Sequence, residues 1–134
     1  MTPEKLISLA VEAMGKAYAP YSGFQVGAAL LCNDGTVFTG CNIENAAYSP
    51  TNCAERTAIF KAVSEGRKDF TAIAICGGKG GKITGLCTPC GVCRQVLSEF
   101  CKVDFPIYLA HKDGYTALTL GDLLPFSFGE NSIK

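Results

Sequence analysis

Residues 53–76 read CAERTAIFKAVSEGRKDFTAIAIC, and they decide the class of fold because they join a helix to a buried strand. The apolar spacing predicts a helix from about Cys53 to Glu65 that ends at Gly66, a residue type common at helix C-termini. The β-branched run from Thr71 to Cys76 predicts a short strand. A helix followed directly by a strand is the building unit of layered α/β folds.

A second unit of the same kind follows along the chain. Thr88 and Pro89 start a helix, and residues 106–111 form its strand. The glycine and lysine stretch from Gly77 to Lys82 is predicted to be a loop between the two units. The second helix is predicted to turn four apolar side chains inward: Val92, Val96, Leu97 and Phe100. Because parallel crossovers have one hand, both helices should pack on the same face of one sheet.

The flanking segments complete this sheet. Thr2 and Pro3 cap and begin a first helix, which should end near residues 18–20. Residues 24–32 are apolar on both faces, and a turn at residues 34–35 leads into a partner strand over 36–43. A last strand follows the turn at residues 113–114. The sequence therefore predicts an α/β fold, with a mixed five-stranded sheet, two central helices on one face and the first helix on the other.

Length and charge restrict the classes of function. The 134 residues suit one domain, residues 1–134, and the 12 basic and 12 acidic residues give a net charge of zero without any run of like charge. A nucleic-acid or anionic-membrane surface needs a basic footprint, so neither partner is expected. No apolar stretch approaches the roughly 18 residues of a membrane span.

The cysteine count and the apolar content bear on location and assembly. Eight cysteines fall short of a disulfide scaffold, and the N-terminus lacks the pattern of a signal peptide, so we expect a reducing cytoplasm. Hydrophobic residues make up 48% and charged residues only 18%, against roughly 25% in typical domains. Composition leaves two explanations open: apolar surface covered by other subunits, or a well-packed small protein.

Three cysteines have the spacing of a metal site. Cys90 and Cys93 lie three residues apart at the start of one predicted helix, so their sulfur atoms share a face, and Cys53 starts the other helix. Helix N-termini stabilise the thiolate form that binds zinc. A structural zinc site has four protein ligands, whereas a catalytic one has three and leaves a position for water. Three cysteines beside Glu55 therefore indicate a catalytic zinc with a proton carrier.

Two charged neighbours of Cys53 have competing explanations. Three thiolates around a divalent ion carry a net charge of minus one, which Arg56 is placed to offset. Arg56 would otherwise be a surface residue in a helical charge pattern. Glu55 alone would be read as a first-turn glutamate that interacts with the helix dipole, but the adjacent three-cysteine site favours a catalytic role.

Three motifs carry a resemblance to a known family: GCNIENA at 40–46, CAERTA at 53–58 and PCGVCRQ at 89–95. Together they resemble the small homotetrameric, zinc-dependent cytidine deaminases, over nearly the whole chain. The resemblance implies a three-layer α/β/α deaminase fold and one zinc per subunit on Cys53, Cys90 and Cys93. It also implies a hydrolase of pyrimidine salvage that converts cytidine and 2'-deoxycytidine to uridine and 2'-deoxyuridine. Water activated at the zinc would attack C4 while Glu55 shuttles protons.

The same resemblance implies the substrate contacts. Asn42 and Glu44 would hold the ribose hydroxyls, and Phe24 would pack against the base. Asn42 and Glu44 could instead be polar residues at the end of an edge strand, and Phe24 could instead belong to the core. The remaining implied contacts are Ala54 and three residues that reach a neighbouring subunit's site: Ala46, Tyr48 and Phe128, with Phe126 as an alternative to the last.

Four other interpretations concern Cys87, an iron–sulfur site, a phosphate-binding loop and a modified nucleoside substrate. Cys87 could be an inert buried thiol, or it could complete a four-cysteine structural zinc site, which would make the protein a scaffold. A bacterial ferredoxin pattern would need a fourth cysteine where Leu97 stands. A phosphate-binding loop is disfavoured because Ile83 follows residues 81–82. Relatives of the fold deaminate modified nucleosides such as blasticidin S, but Asn42 and Glu44 favour an ordinary ribose.

Overall fold

The sheet and its helices follow the order predicted from the two helix–strand units. A computed structural model describes all residues from 1 to 134. The elements are α1 (Pro3–Met14), β1 (Gln25–Cys32), β2 (Val37–Cys41), α2 (Ala54–Ser64), β3 (Phe70–Lys79), β4 (Lys82–Ile83), α3 (Gly91–Phe100), β5 (Pro106–His111), β6 (Gly114–Thr119), α4 (Leu120–Leu123) and a 3₁₀ turn (Glu130–Ser132). No helix has both the length and the apolar character needed to cross a bilayer.

The sheet is mixed, as predicted, but it has six strands and not five. Its main order is β2-β1-β3-β5-β6, with β3 and β5 parallel and the other neighbours antiparallel. The sixth strand is β4, which pairs with the end of β3.

The prediction of a loop from Gly77 to Lys82 is therefore wrong. Glycine makes the hairpin possible there, because a Cβ on Gly78 would lie 1.7 Å from the carbonyl oxygen of Lys82. Gly80 and Gly81 turn the chain with positive φ angles of 61° and 77°.

Helices cover both faces of the sheet, which confirms the three layers. On one face, α2 and α3 bury Ala58, Ile59 and Leu97 against Ile73, Ile75, Ile107 and Leu109 of β3 and β5. On the other face, α1 buries Leu6, Ala10 and Met14 against small residues of the central strands. Because α2 and α3 enter from the same edge, their N-termini meet there.

Three details of the helices differ from the prediction. The helix α1 is capped by Thr2 but ends at Met14, before residues 18–20. Cys53 and Cys90 are the N-caps of α2 and α3, so each lies one residue outside the helix that was predicted to contain it. Val92 is 56% exposed and not packed inward, because the buried face of α3 is centred on Cys93 and Leu97.

Candidate metal centre

Three cysteine sulfur atoms meet at the edge of the sheet where α2 and α3 begin. The Sγ atoms of Cys53, Cys90 and Cys93 all lie within 4.8 Å of one another. Cys53 and Cys90 are 3.7 Å apart, and Cys90 and Cys93 are 3.5 Å apart. Neither N-cap cysteine makes a side-chain hydrogen bond to the amides of its helix, so both sulfur atoms are available to a ligand.

The electrostatics of the cluster suit a metal cation. A hydrogen bond with Cys93 is the main cause that lowers the pKa of Cys53 to about 5, and a hydrogen bond from Arg56 adds to it. The same contact with Cys53, together with burial, raises the pKa of Cys93. Three converging sulfur donors, one of them already anionic, fit zinc, which prefers tetrahedral sites rich in thiolate.

Glu55 is a buried carboxylate with one unpartnered oxygen. Its side chain is 3% exposed, and Oε1 has no hydrogen-bond partner. Burial is the main cause that raises the pKa of Glu55 to about 7, and the charge of Cys53 raises it further. The carboxylate is not a member of the three-sulfur cluster. A buried group with a pKa near neutrality suits the exchange of a proton with a substrate.

Arg56 supplies positive charge directly to the cluster. Its Nη2 donates a hydrogen bond to Cys53 Sγ at 3.2 Å, and this contact raises the pKa of the guanidinium. The buried Nε has no partner. The contact with Cys53 therefore favours the interpretation in which Arg56 offsets the charge of the thiolates over the one in which it is an ordinary surface residue.

A small cavity opens onto both the cluster and Glu55. Its volume is about 190 Å³. The wall consists of Val26, Asn42, Thr51, Asn52, Cys53, Ala54, Glu55, Cys87, Thr88 and Cys90. The predicted contact Ala54 is therefore in the wall of the site. Val26, Thr51, Asn52 and Thr88 were not predicted, although the last three stand next to the CAE and PCxxC motifs, which is a usable signal.

Asn42 uses its amide to shape the entrance of this cavity. Its Nδ2 donates to the carbonyl oxygen of Phe24, and its Oδ1 accepts from the backbone N–H of Val26, both at 2.8 Å. These bonds fix the start of β1. The ring of Phe24 lies against Gly77, where an added Cβ would come within 2.9 Å of Phe24 Cζ and of Cys87 Sγ.

Glu44 stands in a second cavity beside the first. Its Oε1 accepts hydrogen bonds from the backbone N–H groups of Tyr21 at 2.9 Å and Ser22 at 3.1 Å, and its Oε2 accepts one from the Ser22 hydroxyl. The hydrogen bonds from Ser22 are the main cause that lowers the pKa of Glu44. This second cavity, of about 310 Å³, is lined by Tyr21, Ser22, Glu44, Asn45, Tyr48 and Thr51. Thr51 lines both cavities, so they adjoin.

The residues predicted to reach a neighbouring site lie on the surface. Tyr48 is 82% exposed and Phe128 is 61% exposed, and Ala46 is also exposed. Phe126 is fully exposed, with a positive φ of 52°. A single chain does not bring Ala46 or Phe128 into either cavity.

Cys87 stays outside the sulfur cluster. Its side chain lines the smaller cavity, but the group of converging ligand atoms contains Cys53, Cys90 and Cys93 alone. Burial raises the pKa of Cys87 to about 12, so its thiol stays protonated. The geometry therefore disfavours the four-cysteine scaffold.

Comparison with known proteins agrees with this geometry. A family described as the cytidine and deoxycytidylate deaminase zinc-binding region matches residues 1–109. The chain is similar to the cytidine deaminase of Sporosarcina psychrophila, with 50% identity over 100% of this chain and 96% of that protein. It is equally similar to the cytidine deaminase of Halalkalibacterium halodurans, with 50% identity over 96% of this chain and 95% of that protein.

Solved structures show the same relationship. The crystal structure of cytidine deaminase from Burkholderia pseudomallei superposes with a TM-score of 0.87 at 48% identity, and covers 96% of this chain and 100% of that chain. The structure from Mycobacterium tuberculosis has a TM-score of 0.81 at 41% identity, and covers 96% of this chain and 98% of that chain.

Proposed function

This chain belongs to the zinc-binding cytidine and deoxycytidylate deaminase family, and on that premise we propose that it hydrolyses cytidine and 2'-deoxycytidine to uridine and 2'-deoxyuridine. The observation that carries the proposal is the unpartnered, buried Oε1 of Glu55, a residue that lines the same cavity as Cys53 and Cys90 of the sulfur cluster. A buried carboxylate oxygen without a partner costs free energy, and in this proposal the substrate supplies that partner.

Cys53, Cys90 and Cys93 would hold one zinc ion per subunit. The zinc would supply Lewis acidity that makes water nucleophilic near neutral pH. Arg56 offsets the charge of the thiolates through its bond to Cys53, so that the metal remains electrophilic.

Glu55 carries the protons of the reaction. As a carboxylate it accepts a proton from the attacking water and delivers it to ring nitrogen N3, while the water oxygen forms a bond to C4. It then transfers the second proton of the water to the exocyclic nitrogen, the C4–N bond breaks, and ammonia leaves. Glu55 ends as a carboxylate again, and its pKa near 7 lets it both accept and donate.

The substrate lies across the two adjoining cavities in this proposal. The pyrimidine occupies the smaller cavity beside Ala54 and Glu55, and the ribose lies toward Asn42 and Glu44. Phe24 lines neither cavity in the single chain, and its predicted contact with the base stays part of the proposal. Hydrogen bonds from Ser22 and Tyr21 lower the pKa of Glu44, and its carboxylate can accept a hydrogen bond from a ribose hydroxyl.

Assembly into a homotetramer would complete the site. Tyr48 and Phe128 are large aromatic residues left on the surface, which supports a contact with other subunits. We propose that Ala46, Tyr48 and Phe128 reach a neighbouring subunit's site, and that the enzyme acts in cytoplasmic pyrimidine salvage without a nucleic-acid or membrane partner.

The test is the ultraviolet change on mixing the zinc-loaded protein with cytidine and, separately, with 2'-deoxycytidine. Conversion of both is expected. Glu55→Gln should keep its zinc, because the carboxylate is not a ligand, and lose turnover by about 10²- to 10⁴-fold. Protein that holds zinc but converts neither nucleoside would contradict the proposal, and would point to a modified nucleoside as the substrate.

A further inference from the structure

Cys90 is one of the two cluster cysteines that lie just outside a helix, the other being Cys53. It is the exposed member of the three and stands at the N-cap of α3, with an extended backbone at φ −67° and ψ 169°. Its sulfur position therefore depends on the conformation of the peptide that joins it to Pro89. A loop ligand needs a fixed backbone to keep coordination geometry.

Arg94 contacts the backbone on both sides of Cys90. Its backbone N–H donates to the carbonyl oxygen of Cys90 at 2.9 Å, and its side-chain Nε donates to the carbonyl oxygen of Pro89 at 2.7 Å. Pro89 is itself completely buried. Two bonds from one residue thus fix the orientation of the peptides before and after the ligand.

The same guanidinium reaches the C-terminal part of the chain. Arg94 Nη1 donates to the carbonyl oxygen of Leu123 at 2.7 Å. Leu123 is the last residue of α4, where carbonyl groups have no partner within the helix. The helix α4 is anchored by a capping box between Thr119 and Asp122 and by a 2.8 Å bond from Gly121 N to Val103 O.

We propose that Arg94 is a positioning residue for the metal ligand Cys90. Its guanidinium donates to the carbonyl oxygens of Pro89 and Leu123, and so holds the loop that carries Cys90 against the anchored helix α4. Gln95 makes a second, weaker connection, from Nε2 to the carbonyl oxygen of Phe128 at 2.9 Å. A planar guanidinium can serve two carbonyls at once, which a lysine ammonium on a flexible stem cannot reproduce. The proposal rests on zinc binding by this site and is independent of which nucleoside is converted.

The test is the rate at which a chromogenic zinc chelator removes zinc from the holoenzyme, for Arg94→Gln and Arg94→Lys, at a temperature well below their melting points. We expect zinc release at least 10-fold and up to about 100-fold faster in Arg94→Gln, the range found when partners of metal ligands are removed. Arg94→Lys should fall between Arg94→Gln and the wild type. Turnover per bound zinc is measured in parallel.

The matched control is Arg67→Gln, which removes an arginine of comparable exposure at the opposite end of α2 from Cys53. That variant should release zinc at the wild-type rate even if its melting temperature falls. Wild-type release rates in both Arg94 variants would overturn the proposal, and so would equal acceleration in Arg67→Gln. If Arg94→Gln does not fold, the zinc release rate of Arg94→Lys alone tests the proposal. Failure of the proposed deamination would appear as absent turnover with normal zinc retention, which is a different result.

Discussion

The burial of Glu55 predicts an unusual pH dependence of stability in metal-stripped protein. Burial raises the pKa of Glu55 from its ordinary 4.5 to about 7 in the folded state. A raised pKa means that the folded protein holds this proton more tightly than the unfolded chain. The stabilisation from this bound proton is therefore fully present below pH 4.5 and is lost as the pH rises through 7. The difference between 4.5 and about 7 corresponds to about 3 kcal/mol.

Replacement of Glu55 by Gln removes this titration. We expect the stability of Glu55→Gln relative to the wild type to rise between pH 5 and pH 8 by about 2.5 kcal/mol, because only the wild type must bury a charge. The absolute offset between the two proteins is not diagnostic, since the amide of Gln must also find hydrogen-bond partners. Cys53 titrates in both proteins, so the difference between them isolates Glu55 to first order.

The assay is urea unfolding of chelator-treated, reduced protein at pH 5, 6, 7 and 8, with both proteins measured side by side. A difference in unfolding free energy that stays constant across this range would refute the reasoning, since it would mean that Glu55 has an ordinary pKa. Equal slopes of free energy against urea in the two proteins provide the control that both unfold from the same folded state.

Three further substitutions test other parts of the structure. Cys87→Ser should keep zinc and activity, because Cys87 lies outside the sulfur cluster; loss of the metal, measured by elemental analysis, would instead support a four-cysteine site. Gly40→Ala should destabilise the protein by about 1–3 kcal/mol in thermal or urea unfolding, because its Cβ would lie 2.3 Å from the carbonyl oxygen of Ala54; an unchanged midpoint would mean that β2 and α2 are not in close contact. Asp34→Asn should lose less stability in acid than the wild type. Hydrogen bonds from Thr36 lower the pKa of Asp34, so the ionised carboxylate stabilises the wild type above its ordinary pKa, and this stabilisation is lost as the pH falls through the lowered pKa. Identical acid unfolding curves would show that those hydrogen bonds add nothing.

The order of the helices and strands could be predicted because periodicity and turn residues act locally. The strand β5 and the capped start of α1 agree with the prediction to the residue. The hairpin of β3 and β4 was missed because glycine and lysine carry no strand signal, and the pairing depends on the close backbone approach at Gly78. The starts of α2 and α3 were predicted too early, at Cys53 and at Thr88 and Pro89, and the helices begin at Ala54 and Gly91. The reason is that Cys53 and Cys90 cap them without the usual side-chain hydrogen bond.

The sequence by itself determined the chemistry that is available: three sulfur donors, an adjacent carboxylate and a neighbouring guanidinium, at spacings that place Cys90 and Cys93 together. Only the tertiary structure decided that Cys53 meets them across 37 residues while Cys87 does not, and that Glu55 is buried with one oxygen unpartnered. The reason is that residue type and local spacing act within one turn of helix. Distances between helices are set by the packing of α2 and α3 on β3 and β5, and burial is a property of the assembled layers.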